Sequence, residues 1–147
     1  MRECGMLLPV ASLPSRYGIG AFSKEAYGFI DILKKAGQHY WQILPLGPTS
    51  YGDSPYQSFS AFAGNPYFIN LDRLVEEGLL TEAECTSADF GDNPRAIDYG
   101  KLYLNRFPLL RRAYGRWKEK GHTAAEAKGR LWPETVEYCF YMAVKNR

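Results

Sequence analysis

The spacing of apolar residues changes along this chain, and each change predicts a different kind of structure. Met6 to Val10 is a short apolar run, and Ala11 to Gly20 behind it is broken by Pro14 and two glycines, which predicts a strand leading into a loop. Ala26, Phe29, Ile30 and Leu33 then recur at helical spacing, with Ser23 as N-cap, Glu25 in the first turn and Gly37 where the helix stops. Tyr40 to Leu44 returns to a β-type run and ends at Pro45. Strand, helix and strand predict a right-handed βαβ unit with parallel strands. From Leu71 onward the pattern is helical. Asp72 to Glu77 closes at Gly78, Thr81 and Glu84 form a capping box, and Ala88 to Asn93 is a polar break with Gly91 and Pro94 close by. Asp98 caps a long helix to Lys120, expected to be interrupted at Pro108 and closed by Gly121, and Thr123 with Glu126 forms a second capping box. Pro133-Glu134-Thr135-Val136 opens a last helix with Val136, Phe140, Ala143 and Val144 as its stripe. Asn70 and Asp72 read as caps.

Between the βαβ unit and the helices lies HYWQILPLGPTSYGDSPYQSFSAFAGNPYF, His39 to Phe68, where a strand opens into a loop of aromatics, hydroxyls, glycines and prolines. Pro45, Pro48, Pro55 and Pro66 fix φ along it, so the loop is expected to be rigid despite its length. Tyr51, Tyr56, Phe59, Phe62 and Tyr67 supply apolar walls, with Ser, Asn and Gln as polar partners, and that mixture suits the apolar faces and hydroxyls of a sugar. The same rings could instead pack into the core. Trp41, mid-strand between Tyr40 and Gln42, reads as core. The loop leaves the C-terminal end of a predicted strand, the end that carries the site in α/β barrels.

Bulk properties narrow the classes. The chain has 147 residues, 46% apolar and 23% charged, with a net charge of +2, as in ordinary globular proteins, and no nucleic-acid footprint. Arg111, Arg112, Arg116, Lys118 and Lys120 do cluster, but Leu109, Leu110, Ala113, Tyr114 and Trp117 form the other face of the same helix, which predicts a solvated basic face. Cys4, Cys85 and Cys139 are odd in number and widely spaced, which points to reduced thiols in the cytoplasm. His39 and His122 are isolated, so neither a metal nor a cofactor is expected. No apolar run reaches membrane-spanning length, and the first is too short for a signal peptide.

WQILPLGPT followed by YGDSPYQSFSAFAGNPY resembles the signature of the amylomaltases, the 4-α-glucanotransferases or disproportionating enzymes. The resemblance extends through GMLLPVASLPSRYGIGAF and NPYFINLDRLVEEGLL, and returns in IDYGKLY and EYCFYMAVKNR. It implies a (β/α)8 TIM barrel that transfers α-1,4-glucan segments, with retention, to the 4-hydroxyl of another glucan or of glucose. Maltooligosaccharides, amylose and glycogen-derived dextrins would be its partners, with no role for nucleic acid or membrane. A complete barrel takes ~250 residues, so this chain is expected to be the amino-terminal part of one. The expected division is residues 1–70 as the first βαβ unit with the active-site loop, 71–132 as a helical insertion, and 133–147 as the start of a truncated barrel helix.

By the same resemblance, Ser54 and Tyr56 match positions that meet the donor glucan near the cleavage point, although a serine before proline is commonly just a turn residue. Asn65 either bonds sugar hydroxyls or serves as a turn former before Pro66. Tyr51 and Tyr103 match tyrosines associated with a second glucan contact away from the reaction centre, although Tyr103, at helical spacing from Arg106 and Phe107, could face a core instead. No residue here is expected to be catalytic: in the family the nucleophilic Asp and the acid/base Glu come from later strands. Asp53, the loop's only carboxylate, reads as a turn-stabilising residue after Gly52, since retaining transfer needs two carboxyl groups ~5 to 5.5 Å apart. A different class stays open, a non-catalytic α-glucan-binding module.

Overall fold

The computed structural model of the chain describes residues 3–49, 52–123, 126, 139 and 142–144. Tyr51, Pro133 to Val136 and Phe140 lie outside the described residues. Strands β1 (Gly5–Leu7) and β2 (Tyr40–Gln42) pair in parallel, Gly5 with Tyr40, Met6 with Trp41 and Leu7 with Gln42. Helix α1 (Lys24–Lys35) connects them, which gives the expected βαβ order. Both strands end earlier than their apolar runs. After a last ladder bond from the Leu8 amide to the Gln42 carbonyl (3.0 Å), the Leu8 carbonyl accepts the Trp41 indole N–H (2.8 Å) instead of a backbone amide, and the chain winds into a 3-10 turn at Val10–Ser12. Ile43 then loses its ladder partner and packs with Leu8, Trp41 and Leu46 around Val10, Leu13 and Ala26.

In α1 the hydroxyl of Ser23 donates to Glu25 Oε2 (2.5 Å) rather than accepting a helix amide. Ala26 and Leu33 are buried, and Phe29 meets Trp41 edge to face at 5.2 Å. Ile30, expected on the buried stripe, is 45% exposed, in company with Tyr27 and Ile32.

Three further helices follow among the described residues. Asn70 Oδ1 accepts from the Asp72 amide to start α2 (Leu71–Glu76), and the reciprocal Thr81–Glu84 capping box starts α3 (Glu82–Thr86). Asp98 accepts from the Lys101 amide (2.9 Å) at the start of α4 (Tyr99–Glu119). The expected interruption at Pro108 does not occur. Leu102, Arg106, Leu109 and Ala113 lie on one buried face on both sides of the proline, and that packing outweighs the ~3 kcal/mol of a mid-helix proline.

The helices share their core with the first part of the chain. Leu71 and Leu102 are wholly buried with Leu79, Leu80, Cys85, Leu109 and Ala113, against Tyr17 and Ile19 of the loop after β1 and Tyr67 of the aromatic segment. At Gly18 (φ 74°) a Cβ would collide with the backbone carbonyl of Phe90, so this contact between loop and helical region requires glycine.

The basic face of α4 is exposed at Arg111, Arg112, Lys118 and Lys120, as expected, and part of it also forms a clasp. Arg112 and Arg116 both pair with Glu84 (3.0 and 2.7 Å), Arg116 also donates to the Leu79 carbonyl (3.1 Å), and Lys120 donates to the Glu77 carbonyl (2.7 Å). The sequence pattern missed it because the acceptors come from α3 and the turns beside it. Arg116, aided by the Thr81 amide, holds the Glu84 carboxyl well below its ordinary 4.5. Because the folded value is the lower one, the clasp's contribution is present above pH 4.5 and is lost as pH falls toward the folded value. Thermal melting from pH 7 downward should therefore show a Tm loss below that point, and Glu84→Gln should lower Tm at pH 7 while flattening the acid limb.

Candidate functional site

The aromatic segment leaves β2 and returns on itself. Its two ends are joined where the Asn65 amide donates to the Leu46 carbonyl (2.8 Å). Just inside that clasp the two legs touch: a Cβ at Gly47 would come within 2.9 Å of the Ser60 carbonyl oxygen and closer still to Ser58, so only glycine lets them pass. The hydroxyls of Ser54, Ser58 and Ser60 bond to the loop's own backbone. Ser58 Oγ donates to the Ser60 carbonyl (2.7 Å), Ser60 Oγ accepts from the Ala63 amide (3.1 Å), and Ser54 Oγ accepts from the Tyr56 amide (3.3 Å). Asp53 has φ 56°, the only positive φ of a non-glycine among the described residues and one that Asp tolerates better than most, which agrees with a turn residue.

This self-bonding turns rings outward. Tyr56 is 73% exposed, with Phe62 and Phe59 also on the surface. Ser54 is half-buried. Asn65 is buried, and its Oδ1 accepts from the Tyr67 amide (2.9 Å), starting the 3-10 turn Pro66–Phe68, so its carbonyl oxygen is engaged in the turn. Tyr103 stands on the solvent side of α4 at 63% exposure and does not face the core. Its ring meets Phe107 edge to face (5.3 Å), Phe107 meets Tyr67 (5.6 Å), and Tyr67 meets Tyr99 (5.9 Å). A ladder of rings thus runs from the base of the aromatic loop to the exposed Tyr103. Tyr51 lies outside the described residues.

Two groups escaped the sequence reading. Asp72, expected to act as a cap, accepts from the Tyr17 hydroxyl (2.6 Å) and from Arg16 Nη2 (2.5 Å), and Arg16 also pairs with Glu82. Burial opposes the charge on Asp72, but the hydrogen bonds from Tyr17 and Arg16 outweigh it and keep the carboxyl below its usual range. Burial and the bond to Asp72 push the Tyr17 phenol upward. Asp72 is thus held as an ion-pair partner rather than poised as an acid. The second group is Arg106, 1% exposed inside the apolar core. An arginine in phase with Leu102, Leu109 and Ala113 was its sequence signal.

A cleft of about 800 Å³ opens between the loop after β1 and the stretch before α4, with Leu13, Arg16, Asn93, Arg95 and Tyr99 in its walls. The aromatic loop is not among them; Tyr56 stands on open surface instead. No described helix is long and apolar enough to cross a membrane, and no described group of His, Cys, Asp and Glu could hold a metal ion.

The family Glyco_hydro_77, described as 4-alpha-glucanotransferase, matches residues 8–147. A 4-alpha-glucanotransferase of Clostridium butyricum is 58% identical over 94% of this chain and 28% of its own length. Those of Streptococcus pneumoniae and Thermus thermophilus are 50% and 45% identical, each over 99% of this chain and 29% of their own. A solved structure of amylomaltase from Streptococcus agalactiae in complex with acarbose superimposes with a TM-score of 0.78 at 44% identity, over 81% of this chain and 24% of that one. The chain therefore spans under a third of the length of these relatives, and with a family match over nearly its whole length it belongs to the 4-alpha-glucanotransferase family.

Proposed function

We propose that this chain is the amino-terminal part of a cytoplasmic (β/α)8-barrel 4-α-glucanotransferase and that its aromatic loop holds the donor glucan. The observation that carries the reading is the loop itself, clasped at Asn65 and Leu46 with Tyr56 turned to solvent. It follows a β-strand, as active-site loops of barrels do, and the amylomaltase that this chain resembles was solved in complex with acarbose. Exposed apolar side chains on β1, α1 and β2, among them Leu7, Ile30, Ile32 and Tyr40, suit a unit that packs between further strands and helices.

In this reading a carboxylate beyond this chain attacks the anomeric carbon of the donor. The glycosidic C–O bond breaks, the departing 4-oxygen takes a proton, and the 4-hydroxyl of an acceptor later displaces the carboxylate and returns the proton. This chain supplies position. Tyr56 stacks on one pyranose, Ser54 fixes the turn that presents it and offers its remaining hydroxyl capacity, and Asn65 acts by holding the loop's base. Tyr103, with Tyr51, contacts a long chain at a distance. Transfer conserves glycosidic bonds, so the full-length enzyme incubated with maltotriose should form glucose and longer dextrins while total reducing ends stay constant. A rise in reducing ends matching substrate loss would mean hydrolysis and would refute transfer.

The remote contact has its own test. Only a long glucan can reach the reaction centre and Tyr103 together, so Tyr103→Ala should raise KM for amylose roughly fivefold, the equivalent of about 1 kcal/mol, and leave maltotriose within about twofold. Equal losses on both substrates would place Tyr103 outside a remote site.

A further inference from the structure

Arg106 is buried to 1% exposure, yet among the described residues it has no ion-pair partner. Its Nη2 donates to the Ile69 carbonyl (2.5 Å), while Nε and Nη1 are buried without a hydrogen-bond partner. Burial lowers its pKa to about 10, which still leaves the guanidinium charged at neutral pH. A buried charge with most of its donors unanswered is costly, and an apolar residue of similar volume would serve a core better. A residue that weakens the core in this way is a candidate for a task other than stability.

Its single bond identifies the task. Ile69 caps the 3-10 turn that begins at Asn65, and Asn65 closes the aromatic loop onto Leu46. Arg106 sits one turn along α4 from Tyr103, beside Phe107 in the ladder of rings. We propose that Arg106 is a positioning residue, which fixes α4 and its Tyr103 in register with the base of the aromatic loop through the Ile69 carbonyl. The consequence for substrate rests on the glucan reading above; the positioning itself does not.

The test uses the full-length enzyme with Arg106→Met, which keeps volume and removes the donor, and Arg106→Lys, which keeps one donor for Ile69. Amide hydrogen exchange at Asn65, Tyr67, Phe68 and Ile69 should accelerate roughly tenfold in Arg106→Met, as expected for one lost hydrogen bond, and return to wild type in Arg106→Lys. The amides of α1 should not change, and Tm should stay within a few degrees. Unchanged exchange at the loop base in Arg106→Met, or acceleration spread equally over α1 with a collapsed Tm, overturns the positioning role. Should Arg106→Met fail to fold, Arg106→Lys decides alone: wild-type exchange supports the proposal and accelerated exchange contradicts it. KM for amylose, measured on the same variants, should rise roughly threefold in Arg106→Met and recover in Arg106→Lys, with kcat on maltotriose little altered. Faster exchange with an unaltered KM for amylose would keep the positioning role and remove the glucan reading of Tyr103.

Discussion

Incubated alone with maltotriose, the 147-residue chain is expected to release no glucose and to build no longer dextrin. Retaining glycosyl transfer needs a nucleophilic carboxylate and an acid/base carboxyl ~5 to 5.5 Å apart, the latter kept protonated part of the time. Four of the described carboxylates are committed to other work. Asp53 is held at a turn by its backbone, Asp72 and Glu82 share Arg16, and Glu84 is clasped by Arg112 and Arg116. The hydrogen bonds on Asp72 and Glu84 lower the pKa of both, the opposite of what a general acid requires. Chromatography of the product mixture over a long incubation is the check. Transfer products that persist through further purification would mean that a catalytic pair has been overlooked.

In the full-length enzyme Tyr56→Ala should lower kcat/KM for maltotriose by about 1 to 3 kcal/mol, roughly 5- to 150-fold, with the melting transition unmoved. Both halves of that expectation rest on exposure. A ring 73% exposed contributes little to folding, so its removal leaves no cavity and costs little stability. In a complex the same ring would be covered by a sugar face and would lose that contact wholly. A lower Tm with unaltered kcat/KM would make Tyr56 a packing residue.

The βαβ order, the capping box at Thr81 and Glu84, and the cap at Asp98 were legible because each is set within a few residues of chain. Features set by distant partners were not. Pro108 reads as a break, since the proline rule is local, whereas the continuity of α4 comes from Leu102 and Leu109 packing on Leu71 and Leu80 in the core. The ion pairs of Arg112 and Arg116 on that exposed face were not legible, because their partner Glu84 lies far away in sequence. In the candidate site, the competition between turn and ligand for the oxygens of Ser54 and Asn65 was legible, but not its outcome, in which the amides of Tyr56 and Tyr67 bond to both. Composition could not separate exposed rings from core rings either. The clasp between Asn65 and Leu46 and the self-bonded serines turn Tyr56 outward, while Tyr67, in the same segment, is buried.

The central claim, that this chain is a working amino-terminal part of a glucan transferase, is tested most directly by a hybrid in which it replaces the corresponding segment of the Clostridium butyricum 4-alpha-glucanotransferase, 58% identical to it. At that identity the interfaces should be compatible. The hybrid is predicted to melt cooperatively and to disproportionate maltotriose at a rate within about tenfold of the parent, with total reducing ends constant. A hybrid that melts like the parent yet transfers nothing would contradict the account and leave the chain as a glucan-binding module without a part in the reaction.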